Sequence, residues 1–127
     1  MNIISLLETL VNEILSAEEK FLKNPKDFYA LETSVKSSAE NFSAGFLSTV
    51  LSGMDASLHK DAWRKLRYTI ARHDQRTLIT SVGDVVFDST YFASREKNGG
   101  YHHLVEEMMG LDPHDKIHKC SSEAAAG

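Results

Sequence analysis

The sequence predicts an α+β fold: an N-terminal helical hairpin followed by a small three- to four-stranded antiparallel β-meander. Three observations carry this reading. Apolar residues recur every three or four positions through the first half of the chain, as on one face of a helix. Near Tyr68 the spacing switches to two. From Arg76 to Tyr91, two runs rich in Thr, Val, Ile, Phe and Tyr flank Val82-Gly83-Asp84. That pattern is a β-hairpin whose central glycine can take a positive φ at the turn.

The first helix follows from Ile3, Leu7, Leu10, Ile14, Ala17 and Phe21, with Ile4, Val11, Leu15 and Leu22 widening the stripe enough for two partners. Asn24-Pro25 ends it, since the residue before proline is pushed out of helical geometry. The short connection implies an antiparallel partner helix. That second helix should run from about Lys26 to the neighbourhood of Met54, or onward to Leu66, on the stripe Phe28, Leu31, Val35, Ala39, Phe42, Phe46, Val50, Met54 and Leu58. Gly45 and Gly53 weaken it, and Gly53 marks a possible break. In the stretch from His59 to Arg67, Trp63 and Leu66 are expected to pack inward, with Lys60, Arg64 and Arg67 near one face.

Tyr68 to Arg72 reads as a strand leading to a turn at His73-Asp74-Gln75, and Arg76–Tyr91 supplies the hairpin. Tyr101 to Leu104 can add a short fourth strand, and Glu106 to Leu111 a helical turn closed by Gly110. Ser121 to Ala126 announces a helix that the chain does not continue. The division is a helical arm over 1–66, a β-meander over 67–111, and a tail over 112–127 that reads as the start of a truncated helix.

At 127 residues and 42% hydrophobic, the chain can bury a modest core. It has no long apolar run for a membrane span and no signal-peptide start. Cys120 is its only cysteine, so a cytoplasmic setting is the expectation. Charge is uneven. Residues 1–59 carry four Lys/Arg against eight Asp/Glu, residues 60–103 eight against five, and residues 104–127 two against five. Only the middle segment is basic, and phosphate neutralisation is a local matter.

Lys60, Arg64, Lys65, Arg67, Arg72 and Arg76, with Tyr68 and Tyr91 interleaved, are therefore the candidate phosphate-binding surface. The competing reading is an ordinary solvated face. Direct contacts are expected on Arg64, Arg67, Arg72 and Arg76. His114, His118 and Cys120, with His102 and His103 nearby, are zinc-ligand types. Pro113, a single thiol and the lack of a CxxC pair favour solvated loop histidines instead. Asp84, Asp88, Glu106 and Glu107 read as turn, strand-face and first-turn residues, and no nucleophile elbow or phosphate loop occurs. No enzyme is read from this chain.

The ordered string Asp55, Tyr68, Arg76-Thr77-Leu78, Thr80, Val82-Gly83, Val85, Phe87, Thr90-Tyr91, Tyr101 to Leu104 and Glu106 to Leu111 resembles the N-terminal part of bacterial insertion-sequence transposases of the ISL-Lre type. The chain departs from that pattern at Ser89, where it has a basic residue read as a phosphate contact, and at Val105, where it has Asp. The resemblance implies a non-catalytic region for DNA binding at transposon ends and for multimerisation through the N-terminal helices. The DDE carboxylates and their magnesium would then lie in a downstream domain, with no cofactor in this chain, which reads as a truncated copy. The alternative is a stand-alone interaction module, or a regulator acting by oligomerisation.

Overall fold

The computed structural model describes residues 2–111 and 117–119. Helix α1 (Ile3–Lys23) starts where the Asn2 side chain accepts a hydrogen bond from the Ser5 N–H at 2.9 Å, satisfying a first-turn donor. Asn24-Pro25 ends it, and α2 (Phe28–Lys60) begins under the Asp27 carboxylate, which accepts from the Ala30 N–H at 3.1 Å. The two helices lie antiparallel. Phe21 meets Phe28 edge-on at 6.1 Å beside the connection, and at the other end Leu6 sits over Gly45.

The break considered at Gly53 does not occur, because α2 passes through it. The helix breaks instead at Asp61, whose carboxylate accepts from the Arg64 N–H at 3.0 Å and opens α3 (Ala62–Arg67). This new start resets the helical phase. Arg64 turns into the core, while Trp63 and Leu66, expected inside, are 50% and 78% exposed. Phe46 and Val50 of the predicted α2 stripe are exposed as well, with Leu51 and Asp55 buried in their place, while Leu58 of the stripe is buried as expected.

After α3 the chain forms one long bent ribbon rather than a meander. Strands β1 (Tyr68–Arg72) and β2 (Gln75–Thr80) make the outward arm, and β3 (Gly83–Asp88) and β4 (Tyr91–Ser94) return. β2 pairs with β3 (Leu78↔Val85, Gln75↔Asp88), and β1 pairs with β4 (Arg72↔Tyr91, Ile70↔Phe92) with a bulge between Ile70 and Arg72. Between the two ladders the Ser89 N–H donates to the Asp74 carbonyl at 3.0 Å, so the register runs through unbroken. The expected turn at His73-Asp74-Gln75 is therefore absent. At the hairpin tip the chain turns at Ser81-Val82, Gly83 directly after it takes φ +111°, and the Thr80 hydroxyl donates to the Gly83 carbonyl at 2.7 Å.

The bend divides the ribbon into two antiparallel sheets, ordered β1-β4-β5 and β3-β2-β6. β5 (Tyr101–His103) adds to β4, and β6 (Ile117–Lys119) adds to β2 from within the stretch expected to be a tail. The short α4 (Leu104–Met108) follows β5, with Gly110 at φ +73° beyond it. The announced helix Ser121–Ala126 lies outside the described residues.

The core joins Leu51 and Leu58 of α2 to Val85, Phe87, Phe92, Leu104 and Val105. α2 also covers the outer edge of β3. The Ser48 hydroxyl donates to the Val86 carbonyl, the Asp88 N–H donates to the Ser52 hydroxyl at 3.0 Å, and the Thr90 N–H donates to the Asp55 carboxylate at 2.8 Å. Helix steps of four and three thus keep pace with strand steps of two, and edge groups that invite another strand are bonded. No helix among the described residues is long and apolar enough to cross a membrane.

Candidate functional site

The bend in the ribbon is a buried polar joint. Ser89 and Thr90 are fully enclosed there, with Asp55, Asp74 and Glu106 around them. From one side α2 contributes Asp55 and His59. The Thr90 hydroxyl donates to Asp55 Oδ2 at 2.7 Å and meets His59 Nε2 at 2.6 Å. From the other side β5 and α4 contribute His103 and Glu106. Arg72 Nε donates to Asp74 Oδ1 at 2.8 Å, and His103 Nε2 lies 2.9 Å from Asp74 Oδ2. Arg76 Nε donates to Glu106 Oε1 at 2.8 Å, and His103 Nδ1 lies 3.4 Å from Glu106 Oε2, to which the Ser89 hydroxyl donates at 3.3 Å. Arg72, Asp74, His103, Glu106 and Arg76 are linked across the bend. Burial works to raise the Asp74 pKa, but hydrogen bonds from Arg72 and His103, with their charges, outweigh it and hold the carboxyl below its ordinary value.

A groove of about 460 Å³ opens beside the joint, lined in part by Asp55, His59, Lys60 and His73. His59 and His73 stack in it at 5.2 Å. Thr90, His59 and Asp55 have the residue types of a nucleophilic site. Yet the Thr90 residue is 1% exposed and its hydroxyl is engaged by both partners, so it fastens α2 to the ribbon. Nor do the buried carboxylates fit magnesium, which takes a set of open oxygen ligands. Asp55 is bonded to Thr90, Asp74 to Arg72 and His103, and Glu106 to Arg76. Among the described residues no group of three metal-binding side chains assembles.

Two of the histidines considered for zinc, His102 and His103, have other partners. His103 bridges Asp74 and Glu106. His102 lies 2.6 Å from the Gly99 carbonyl and 2.8 Å from Glu107. The Gly99 carbonyl, then Glu107, raise its pKa above the ordinary value against the effect of burial. His114 and Cys120 lie outside the described residues, and His118 enters as the β6 partner of Thr77.

The basic surface read from the sequence separates into two groups. Arg64 is 5% exposed. It donates from Nε to the Leu58 carbonyl at 2.9 Å, from Nη2 to the His59 carbonyl at 2.6 Å and from Nη1 to the Tyr68 carbonyl at 3.3 Å. It caps the carbonyl end of α2, where cations are favoured. Arg76 is turned inward by Glu106, and Arg72 is held by Asp74 with its guanidinium 4.4 Å from the Tyr91 ring centroid. These three arginines and Tyr91 belong to the joint and its surroundings. Lys60, Lys65 and Arg67 are exposed. Ser89, which stands where the family pattern has a basic residue, is fully buried against Glu106. Val105 is likewise in the core, where Asp would be buried.

Sequence reasoning missed Arg95. The β1–β4 pairing carries it to α3, where its N–H donates to the Arg67 carbonyl and its Nε to the Lys65 carbonyl, both at 2.9 Å. No local signal marks it, because 30 residues separate it from Lys65.

The profile of an uncharacterised protein family, UPF0236, matches residues 21–126. Similar relatives are UPF0236 proteins of Caldanaerobacter subterraneus subsp. tengcongensis. One is 27% identical over 107 residues, spanning 84% of this chain and 23% of the relative. Two others are 25% identical over the same length, spanning 84% of this chain and 23% or 22% of theirs. The chain therefore spans less than a quarter of the length of the curated relatives it matches. No solved structure matches it. By a profile that covers most of its length, the chain belongs to the uncharacterised family UPF0236.

Proposed function

We propose that this chain is the non-catalytic N-terminal region of a bacterial insertion-sequence transposase, serving DNA binding at the element's ends and multimerisation. The observation that carries the reading is the name of the 27%-identical relative, which joins eleven loci of one genome under a single protein. A protein repeated across a genome is what a self-copying element leaves behind. The ordered string from Tyr68 to Leu111 supports the same reading through its resemblance to ISL-Lre-type transposases. The relatives' much greater length has room for a catalytic domain with its own carboxylates and magnesium. An accessory role also suits Asp55, Asp74 and Glu106, whose charges are spent on holding the fold together.

The test is a gel-shift series in which the full chain meets duplex DNA from the element's ends at rising salt. Retardation that weakens steeply with salt is expected, because each neutralised phosphate releases counterions. No retardation even at low salt overturns the DNA-binding reading.

The alternative, an interaction module acting by oligomerisation, is favoured by one specific observation. α1 leaves Ile4, Val11, Leu15 and Leu22 at 63%, 51%, 54% and 67% exposure, an apolar stripe that α2 does not cover. Sedimentation at micromolar concentration should show self-association that Val11→Asp with Leu15→Asp abolishes. Self-association without DNA retardation selects this second reading, and a monomer that does not change on dilution removes it.

A further inference from the structure

We infer that the outer edge of α3, where Trp63, Lys65, Arg67 and Arg95 meet, is a docking place for unpaired nucleobases on a single-stranded nucleic acid. The inference rests on the DNA-binding reading above and narrows it to one surface and one form of the ligand.

The cluster is assembled by the fold. Arg95, at the exit of β4, is tied to α3 by its N–H on the Arg67 carbonyl and its Nε on the Lys65 carbonyl. One side of its guanidinium is thereby fixed, and the residue remains exposed. Arg67 lays its guanidinium 5.5 Å from the centroid of the Trp63 ring. Tyr68 meets the same indole at 5.8 Å, tilted by 54°. Held by both neighbours, Trp63 is still 50% exposed. Among the described residues, Lys65, Arg67 and Arg95 have no carboxylate partner, in contrast to Arg72 and Arg76 at the joint. The acidic neighbours in sequence are Glu96, exposed on the loop beyond Arg95, and Asp61, exposed at the start of α3 with its carboxylate on the Arg64 N–H.

Chemistry selects the ligand. Three unpaired cations on a chain whose flanking segments are acidic make a local site for a polyanion. An acidic peptide would satisfy the cations and leave the indole unused. A duplex would do the same, because its bases are stacked on each other. A single strand offers both parts at once: phosphates for the cations and an open base face for a ring already backed by a guanidinium. Stacking of this kind tolerates any base, so affinity should depend little on sequence.

Trp63 is the sole tryptophan, so its fluorescence reports this site alone. The full chain is titrated with oligothymidylate and with a duplex of equal length, following Trp63 emission together with the anisotropy of labelled DNA. The single strand should quench Trp63 saturably and bind more tightly than the duplex. Trp63→Ala should weaken single-strand binding by roughly tenfold, with Trp63→Phe recovering part of the loss. Arg67→Gln with Arg95→Gln should reduce the salt slope for the single strand by about 1.4, two phosphates' worth. Thermal melts identify any variant that is merely unfolded, and the wild-type titration does not depend on them. If the duplex binds as well as the single strand and Trp63 emission stays constant, the unpaired-base site is overturned while DNA binding stands. If neither binds at low salt, both readings fall.

Discussion

Gly45 and Gly53 lie in the same long helix but in different surroundings, and substituting each with alanine tests how α1 is seated. A Cβ at Gly53 would meet nothing within 4 Å, whereas at Gly45 it would lie 2.7 Å from Leu6 Cδ2. Alanine is favoured over glycine in a helix interior by about 1 kcal/mol. Gly53→Ala should gain that amount, a rise of about 3–6 °C in Tm for a chain of this size. Gly45→Ala starts from the same gain but must displace Leu6, one of the two buried side chains of α1. Overpacking of this sort costs about 1–3 kcal/mol, so the net effect runs from neutral to about 2 kcal/mol destabilising. Leu6→Ala, which alone should cost about 2–5 kcal/mol, should cost less in the Gly45→Ala background because the clash is gone. Urea unfolding followed by circular dichroism measures all four proteins as a double-mutant cycle. Equal gains at the two glycines, with no coupling to Leu6, would refute the antiparallel seat of α1 on α2.

The joint makes further predictions. Arg76→Gln strands a buried Glu106 and should lower stability by about 3–5 kcal/mol, with Arg76→Met/Glu106→Met losing less than that; a loss under about 1 kcal/mol in urea unfolding refutes the buried pair. The raised pKa of His102 means its contribution is complete below the unfolded imidazole value, near 6.5, and fades as pH rises through the folded value. His102→Gln should therefore show a flatter fall in Tm between about pH 6 and pH 8 than the wild type, and parallel curves would contradict it. Asp74 has the opposite sign. Its depressed pKa contributes above the unfolded value of 3.8 and is lost as pH falls through the folded one, so Asp74→Asn should flatten the acid limb of the stability curve.

The helices were legible because their apolar spacing is local, and the hairpin tip because Gly83 sits between two period-two runs. The bend was not. Period two continues on both sides of His73-Asp74, so a polar pair between strands reads the same whether the chain turns or only bends. What separates the two is the pairing of Tyr68–Arg72 with a strand about 20 residues further on, which no window along the sequence contains. The arginines show the same limit. Arg64 and Arg67 look alike in a basic run, and only the phase reset at Asp61 sends one onto the α2 carbonyls and leaves the other outside. Glu106 reads as a first-turn acid until Arg76 is seen against it. Asp55, Arg76, Thr90 and Glu106, all in the string quoted for the resemblance, meet in the joint, a role that no local signal assigned to any of them.

A ribbon that keeps its register through the bend, and shifts it only at the bulge between Ile70 and Arg72, has a consequence for how the chain folds. From the tip at Ser81-Val82, each successive pair of residues forms next to one already closed, so every step adds almost no loop entropy. Closure can travel from Gly83 through Asp74 and Ser89 to Tyr68 and Ser94 as one zipper, although the finished molecule shows two sheets. The same continuity polices errors. A slip of one residue at the tip would reverse the facing of Val85 and Phe87 and, carried through the bend, of Phe92 as well. A misaligned ribbon therefore forfeits much of the core at once, and the two sheets are proofread together.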